Sequence, residues 1–490
     1  MGLGLGKLFS FVTKIFTAFN PFVTIGAIVL GFMFAKSMKK KRQKAMQAAT
    51  AGISGVLITK QGTNEPIPVI YGERRVAGAR VFIEASGTDG DTKNAYFHMV
   101  ETIAEGPIEG LQEIYFNDEL VATSSDNGAT IDYSAGSTDF SAHAATKFFD
   151  GSQSARVSGT LLGQSISSNW PSGAVGNKLA YVYTVLKWNQ DRFGSGVPTI
   201  TYKVKGKKVP ALGSNQSSTL TYSDNPALCI HDYLTSTLYG KAIDHTLLDA
   251  DPSSSSFKTV KDYCDQTVAK TASDSTAVTR YTVNEVVDTD TRMLDNIEDL
   301  LSTCRGGLIT NEKYKLIVDK PETPLTTIIN DDHIIGNITF TQASKKTLTN
   351  RLRCTYPNEA GDINFQDDIV VLESTGLQSS DGLVLNNDMV LSGVTNKERV
   401  LRILNEELNQ SRQSGQLSVQ VDPSLIDIGV YDVVKFTNTT FGQTNKLYRV
   451  MQTVLNPDNT ITLNMREYDA NVYWDNNKTF ITNNKDDTDY

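Results

Sequence analysis

Hydrophobic and polar positions change their rhythm several times along this chain. In residues 7–19, Leu8, Phe9, Val12, Ile15, Phe16 and Phe19 share one helical face and Lys7, Lys14 and Thr17 lie off it, which predicts an amphipathic helix. Asn20-Pro21 ends that helix and opens a second, since proline is tolerated in a first turn. Residues 22–35 carry no charge and only Thr24 is polar; Phe22, Ile25, Ile28, Leu30, Phe32 and Phe34 supply the bulk. Ala27, Gly31 and Ala35, four apart, form a stripe of small side chains that suits close helix–helix packing. Residues 1–52 are therefore expected as a hydrophobic helical segment ending in a basic cluster.

The period then shortens to two. Apolar runs at 56–58, 68–71, 80–83, 96–100, 114–116, 180–187 and 199–204, broken by Gly, Asp and Asn, predict a β-rich domain over 53–216. Residues 123–178, rich in Ser, Gly and Ala, read as a surface insertion within it. An α+β domain is expected over 217–335. Asn225-Pro226 opens a helix with Ala227, Ile230, Leu234 and Leu238 on one face and Gly240 as terminator. A second helix sets Phe257, Val260, Cys264 and Val268 at core spacing, and a third sets Leu294, Ile297, Leu301 and Cys304 before two strands at 307–310 and 314–318. Over 336–474 a helix at 397–412 (Val400, Leu401, Leu404, Leu408) precedes strands in which Leu417, Val419 and Val421 alternate, and a small β-barrel is the natural reading. Residues 475–490 form a polar tail. The fold class is α+β and multidomain, β-barrel-rich with an α/β middle domain.

Charge sharpens this picture. Residues 1–50 hold eight basic and no acidic residues, so of 46 Lys+Arg and 55 Asp+Glu, 38 and 55 remain for the rest, a net −17. A body so acidic is a poor candidate for gripping nucleic acid, where affinity rests on neutralising phosphates. The basic cluster follows the apolar run, the wrong side for a secretory signal. At ~1.5 Å per residue, fourteen apolar residues reach about 21 Å, short of a ~30 Å hydrocarbon core. Packing of copies of this helix inside an assembly is therefore the first reading, and membrane contact through residues 7–35 the second. Cys229, Cys264, Cys304 and Cys354 form no CxxC pair, and the five histidines form no HExxH, so no metal, cofactor or disulfide framework is expected. Cys304 and His333 are the one suggestive pair, with an ordinary structural role preferred for both.

Four stretches, in order, resemble one family. Glu101-Thr-Ile-Ala-Glu105-Gly106-Pro107-Ile-Glu109-Gly110-Leu111 is similar to the "SEGPIEG" signature of the lambda-type tail tip attachment protein J family. Asn225-Pro-Ala-Leu228, Asp232-Tyr-Leu234 and Tyr239-Gly240 resemble its "NPA" helix; residues 294–307 with 314–318 resemble its helix, "C.G" and strand; Arg466-Glu-Tyr-Asp-Ala-Asn-Val-Tyr473 resembles the segment closing its last hub domain. The resemblance implies the hub portion of a phage tail tip: a trimer, related to contractile-phage baseplate hubs, whose barrel-like domains continue the tail tube while others close it. Implied partners are two further copies, a distal tail or tube-adaptor protein, the tape-measure protein, and other tip or central-fibre proteins. Residues 105–110 also have a local rationale, as glycines and proline fixing a turn between the strands at 96–100 and 114–116. The lambda-type protein continues into fibronectin-like and receptor-binding parts whereas this sequence stops at Tyr490, so direct receptor binding is not expected of it. No catalytic constellation is visible. The rival readings are a membrane-anchored bacterial surface or assembly protein and a tail-associated peptidoglycan hydrolase.

Overall fold

A computed structural model describes residues 60–61 and 66–473, apart from 124–126, 132, 137, 167–168, 216, 271–273, 311, 343–347, 362–364 and 414. The expected N-terminal helices, with Ala27, Gly31, Ala35, Phe22, Ile25, Ile28, Leu30, Phe32 and Phe34, lie outside the described residues, as does the polar tail.

The first unit is a two-sheet sandwich. Its strands are β1 (Lys60–Gln61), β2 (Val69–Tyr71), β3 (Glu73–Ala77), β4 (Ala79–Asp89), β5 (Thr92–Glu105), β6 (Ile108–Phe116), β7 (Glu119–Thr123), β8 (Thr130–Ile131), β9 (Ala144–Phe149), β10 (Thr160–Leu161), β11 (Gln164–Ser165), β12 (Leu179–Lys187), β13 (Ile200–Pro210) and β14 (Leu220–Tyr222). A short helix α1 (Gln190–Phe193) precedes β13. One sheet runs β1-β4-β5-β12-β9-β8; the other runs β14-β13-β6-β7, with β3 also on β13. Between them pack Met99, Ile103, Leu111, Ile114, Val182, Tyr202 and their neighbours. The stretch read as a surface insertion does more than decorate. Ala144–Phe149 is a core strand paired with β12, and Val157, Leu161 and Ile166 cover the outer face of the first sheet over Tyr96, Val100 and Tyr183.

The chain then turns helical, with α2 (Pro226–Thr235) and α3 (Ser256–Cys264), the strands β15 (Thr267–Ala269), β16 (Ala277–Thr279) and β17 (Glu285–Val287), then α4 (Met293–Ser302), β18 (Gly306–Thr310) and β19 (Tyr314–Val318). The Asn225 side chain accepts from the Ala227 amide and Pro226 takes the first helical position, as the cap signal requires. Helix α2 stops at Thr235, short of the expected stripe: the chain folds back, Leu238 is 65% exposed, and a side chain at Gly240 would meet the Tyr233 carbonyl. Likewise α3 ends at Cys264 and Val268 belongs to β15.

Two strands, β20 (Ile328–Ile329) and β21 (Ile334–Gln342), begin a C-terminal sheet before the chain returns to the middle with β22 (Arg351–Asn358), β23 (Gln366–Glu373), α5 (Thr375–Asp381), β24 (Asn386–Val390) and α6 (Lys397–Ser411). Val400, Ile403, Leu404 and Leu408 of α6, with Leu352 and Cys354 of β22, share one core with α2, α3 and α4. The strands β25 (Gly415–Val421), β26 (Val433–Asn438), β27 (Gln443–Leu455) and β28 (Ile461–Glu467) complete the C-terminal sheet, in the order β20-β26-β27-β28-β25-β21. Leu417, Val419 and Val421 point into its own core with Val450, Leu463 and Met465. The expected barrel is a half-barrel: β20 and β21 are its two edges and share no ladder.

Candidate functional site

The family-like stretches do not lie apart. Two of them meet in one buried joint and two in another. Gly106-Pro107, joined by a cis peptide, is the corner at which the chain leaves the first sheet on β5 and enters the second on β6. The Gly106 amide donates to the Lys178 carbonyl at 2.6 Å, and a Cβ on Gly106 would stand 2.7 Å from the Gly151 Cα, so the close approach of two backbones admits only glycine. Gly110 lies inside β6, paired with Lys205, rather than in the turn as expected. Glu109 is exposed, 3.4 Å from the Lys208 ammonium.

The Gly106 carbonyl accepts a hydrogen bond from the buried Lys207 ammonium, which lies 5.1 Å from the ring centre of Tyr239. Tyr239 donates to Asp232 Oδ2 at 2.8 Å, and Tyr71 of β2 donates to the same oxygen at 2.6 Å. Burial, then the Asp232 charge, pushes both phenols well up, so both remain donors. Burial lowers the Lys207 ammonium while Asp232 and Glu105 oppose it; burial raises the Glu105 carboxyl against Lys207 and Lys178. The signature turn and the Asn225–Gly240 stretch are thus two halves of one contact between the sandwich and α2. The same boundary is bridged by pairing of β2 with β17 and by an apolar core that takes in Val69, Tyr71, Val209 and Leu212 along with Ile230 and Leu234.

The second joint centres on Asp319, the residue after β19. Arg305, between α4 and β18, donates to Asp319 Oδ2 at 2.9 Å, to Gln410 Oε1 at 2.9 Å and to the Glu406 carboxylate of α6. From the half-barrel side, Arg449 of β27 pairs with Asp319 Oδ1 and Tyr473 donates to that oxygen at 2.6 Å. Tyr431, Tyr468 and Tyr473 surround the Arg449 guanidinium at 5.1, 4.9 and 5.7 Å from their ring centres, distances at which ring faces attract a cation. Burial alone would raise the Asp319 carboxyl, but Arg305, Arg449 and Arg466 outweigh it and hold it well below the usual carboxylate range. Sequence reasoning picked out Tyr468 and Tyr473 within a matched stretch, but not Asp319 or Arg449. Arg449 sits in an alternating strand and carries no local signal.

Both joints are buried and densely hydrogen-bonded, which suits them to fixing orientation. Cys304 and His333 stay apart: Cys304 is buried in the middle core beside Leu301, and His333 Nδ1 accepts from the Asn330 amide at the start of β21. Among the described residues no three His, Cys, Asp or Glu side chains group as metal ligands, and no helix is long and apolar enough to cross a membrane.

Residues 292–453, from α4 into β27, match a family model described as putative phage tail protein. The chain is 24% identical over 463 residues to baseplate hub protein pb3 of Escherichia phage T5, covering 83% of this chain and 48% of the relative. It is 25% identical over 197 residues to tip attachment protein J of Escherichia phage SECphi27, covering 38% of this chain and 16% of that protein. In sequence the chain is thus similar to a hub protein and to a tip protein of phage tails. It spans about half the length of the first of these relatives and a smaller part of the second. The fold is that of a chain in the native gene transfer agent particle, with a TM-score of 0.51 at 12% identity over 89% of this chain and 96% of the other.

Proposed function

We propose that this protein is the structural hub of a phage tail tip, assembling as a homotrimer that closes the distal end of the tail tube. In this reading it joins the tube, through a distal tail or adaptor protein, to tip or central-fibre proteins that attach to the host, and it yields when DNA is ejected. The protein resides at the tail tip of the virion. The observation that carries the reading is the similarity to a baseplate hub protein over 83% of the chain, and the two joints support it, since a hub must hold its sheets at fixed angles. The domain division 53–216, 217–335 and 336–474 belongs to the same proposal, with the middle core extended to α6. Residues 27, 31 and 35 are proposed to pack copies of the N-terminal helix, against the tape-measure protein or, in the second arrangement, beside a membrane. The turn at 105–110 is proposed to act through the first joint, as a positioning element without chemistry of its own.

The test is the mass and shape of the full chain, alone and with the neighbouring tail proteins. A threefold ring or cone is expected. A particle that stays monomeric in both settings removes the trimeric hub.

A further inference from the structure

The two joints are built differently. Across the first, a shared strand ladder and a shared apolar core run from the sandwich into the middle unit. Across the second, no buried apolar cluster among the described residues draws on both sides. The middle core ends at Leu408, the half-barrel core is made of its own strands, and a small cluster of Val433, Tyr468, Val472 and Tyr473 lies wholly on the half-barrel side. Side chains of opposite charge, hydrogen bonds and tyrosine rings hold this boundary, with Asp319 as the group that both sides grip. Apolar burial is non-directional and tolerates no gap, whereas a polar joint is made or lost as a set of discrete bonds between parts that keep their own cores.

We propose that the half-barrel is a separately moving body, tethered to the middle unit where the chain crosses after β19, after β21 and after α6, with 320–327 as its strap, and locked by the Asp319 joint, while the sandwich and the middle unit move as one. The lock has two leaves. Arg305, itself paired with Glu406, and Gln410 donate to Asp319 from the middle unit, and Arg449 with Tyr473 holds it from the half-barrel. The strap of 320–327 carries its own light contacts to the half-barrel: the Glu322 amide donates to the Tyr468 hydroxyl at 2.8 Å, and the Leu325 amide to the Val433 carbonyl at 2.7 Å. This goes beyond the hub reading and does not depend on it, because it concerns one chain.

Amide hydrogen exchange on the full chain tests the hinge, with Asp319→Asn, which keeps the shape and removes the charge, and Tyr473→Phe, which removes one hydrogen bond and keeps the ring. The expected result is exchange faster by roughly tenfold or more at 320–327 and 468–473, with protection retained in α2, α4, β25 and β28. Tyr71→Phe, in the first joint, is expected to leave the sandwich and middle unit exchanging as one. Loss of protection throughout either core, unchanged exchange at 320–327, or failure of both Asp319→Asn and Tyr473→Phe to fold would each overturn the hinge. So would separation of the sandwich in Tyr71→Phe. Trimer formation is read separately by mass, so failure of the hub reading and failure of the hinge are distinguishable.

Discussion

Gly106 shows how much one residue type conveys. A glycine before a proline and after an acidic residue is legible in sequence as a turn, and the contact of its Cα with Gly151 explains why no larger residue stands there. What the turn is for was not legible, because its partners Lys207, Tyr239 and Asp232 are scattered over more than a hundred positions. His231, on the same helix as Asp232, carries a separate consequence. It is fully buried against Phe257, with neither ring nitrogen bonded to protein, and burial, aided by His245, pushes its pKa down to about 4. The folded chain therefore holds the ring neutral, whereas the unfolded chain protonates it near the ordinary value of about 6.5. Its contribution is intact above pH ~6.5, declines as pH falls towards 4 and changes little below, a loss on the order of 3 kcal/mol. His231→Phe should lose less stability than the parent between pH 7 and 4.5 in urea unfolding. Parallel profiles for the two proteins would show that His231 does not titrate in this way.

At the scale of elements, periodicity located α2, α3, α4 and α6 and missed the short α1 and α5, and it placed helix ends less well. Cap chemistry at Asn225 and the spacing of Val400, Leu404 and Leu408 are local, so sequence carries them. The stop at Thr235 is set by the chain folding back on Tyr233, a tertiary contact that no stripe of apolar residues announces. Helix α6 also buries polar side chains, and two adjacent ones contrast sharply. Glu406 is paired with the buried Arg305 guanidinium, whereas both amide atoms of buried Asn405 lack a protein partner. Removing Glu406 takes one of two buried carboxylates from Arg305, which keeps Asp319, and strips a charge-assisted hydrogen bond from a low-dielectric site, at a cost of about 1.5–3 kcal/mol. Replacing an amide that bonds to no side chain or backbone should change stability by about 1 kcal/mol or less, in either direction. Thermal unfolding of Glu406→Leu and Asn405→Leu should therefore differ clearly, with Glu406→Leu the less stable. Equal losses would mean that Asn405 is as firmly bonded as its neighbour.

For the whole molecule, alternation predicted strands but could not say which edges meet. A sheet that stops at β20 and β21 and one that closes into a barrel have the same inward and outward pattern. Charge, by contrast, is read from sequence without any knowledge of pairing. Residues 51–490 carry 38 basic and 55 acidic side chains, and residues 1–50 carry eight basic and none acidic. A body with a net −17 repels duplex DNA over about a Debye length, ~8 Å at physiological salt, and releases no counterions on contact. Whatever affinity the chain has for DNA should then come from the basic cluster at 36–44. At low salt, weak retention of duplex DNA by the full chain is expected. It should vanish near 0.15 M salt, and should vanish at all salt concentrations when Lys36, Lys39, Lys40, Lys41, Arg42 and Lys44 are changed to Gln. An electrophoretic shift assay across a salt series reads both outcomes. Retention that survives the six substitutions, and survives further change of Lys7 and Lys14 to Gln, would place a nucleic-acid site on the acidic body, where holding DNA would work against the passage of a genome.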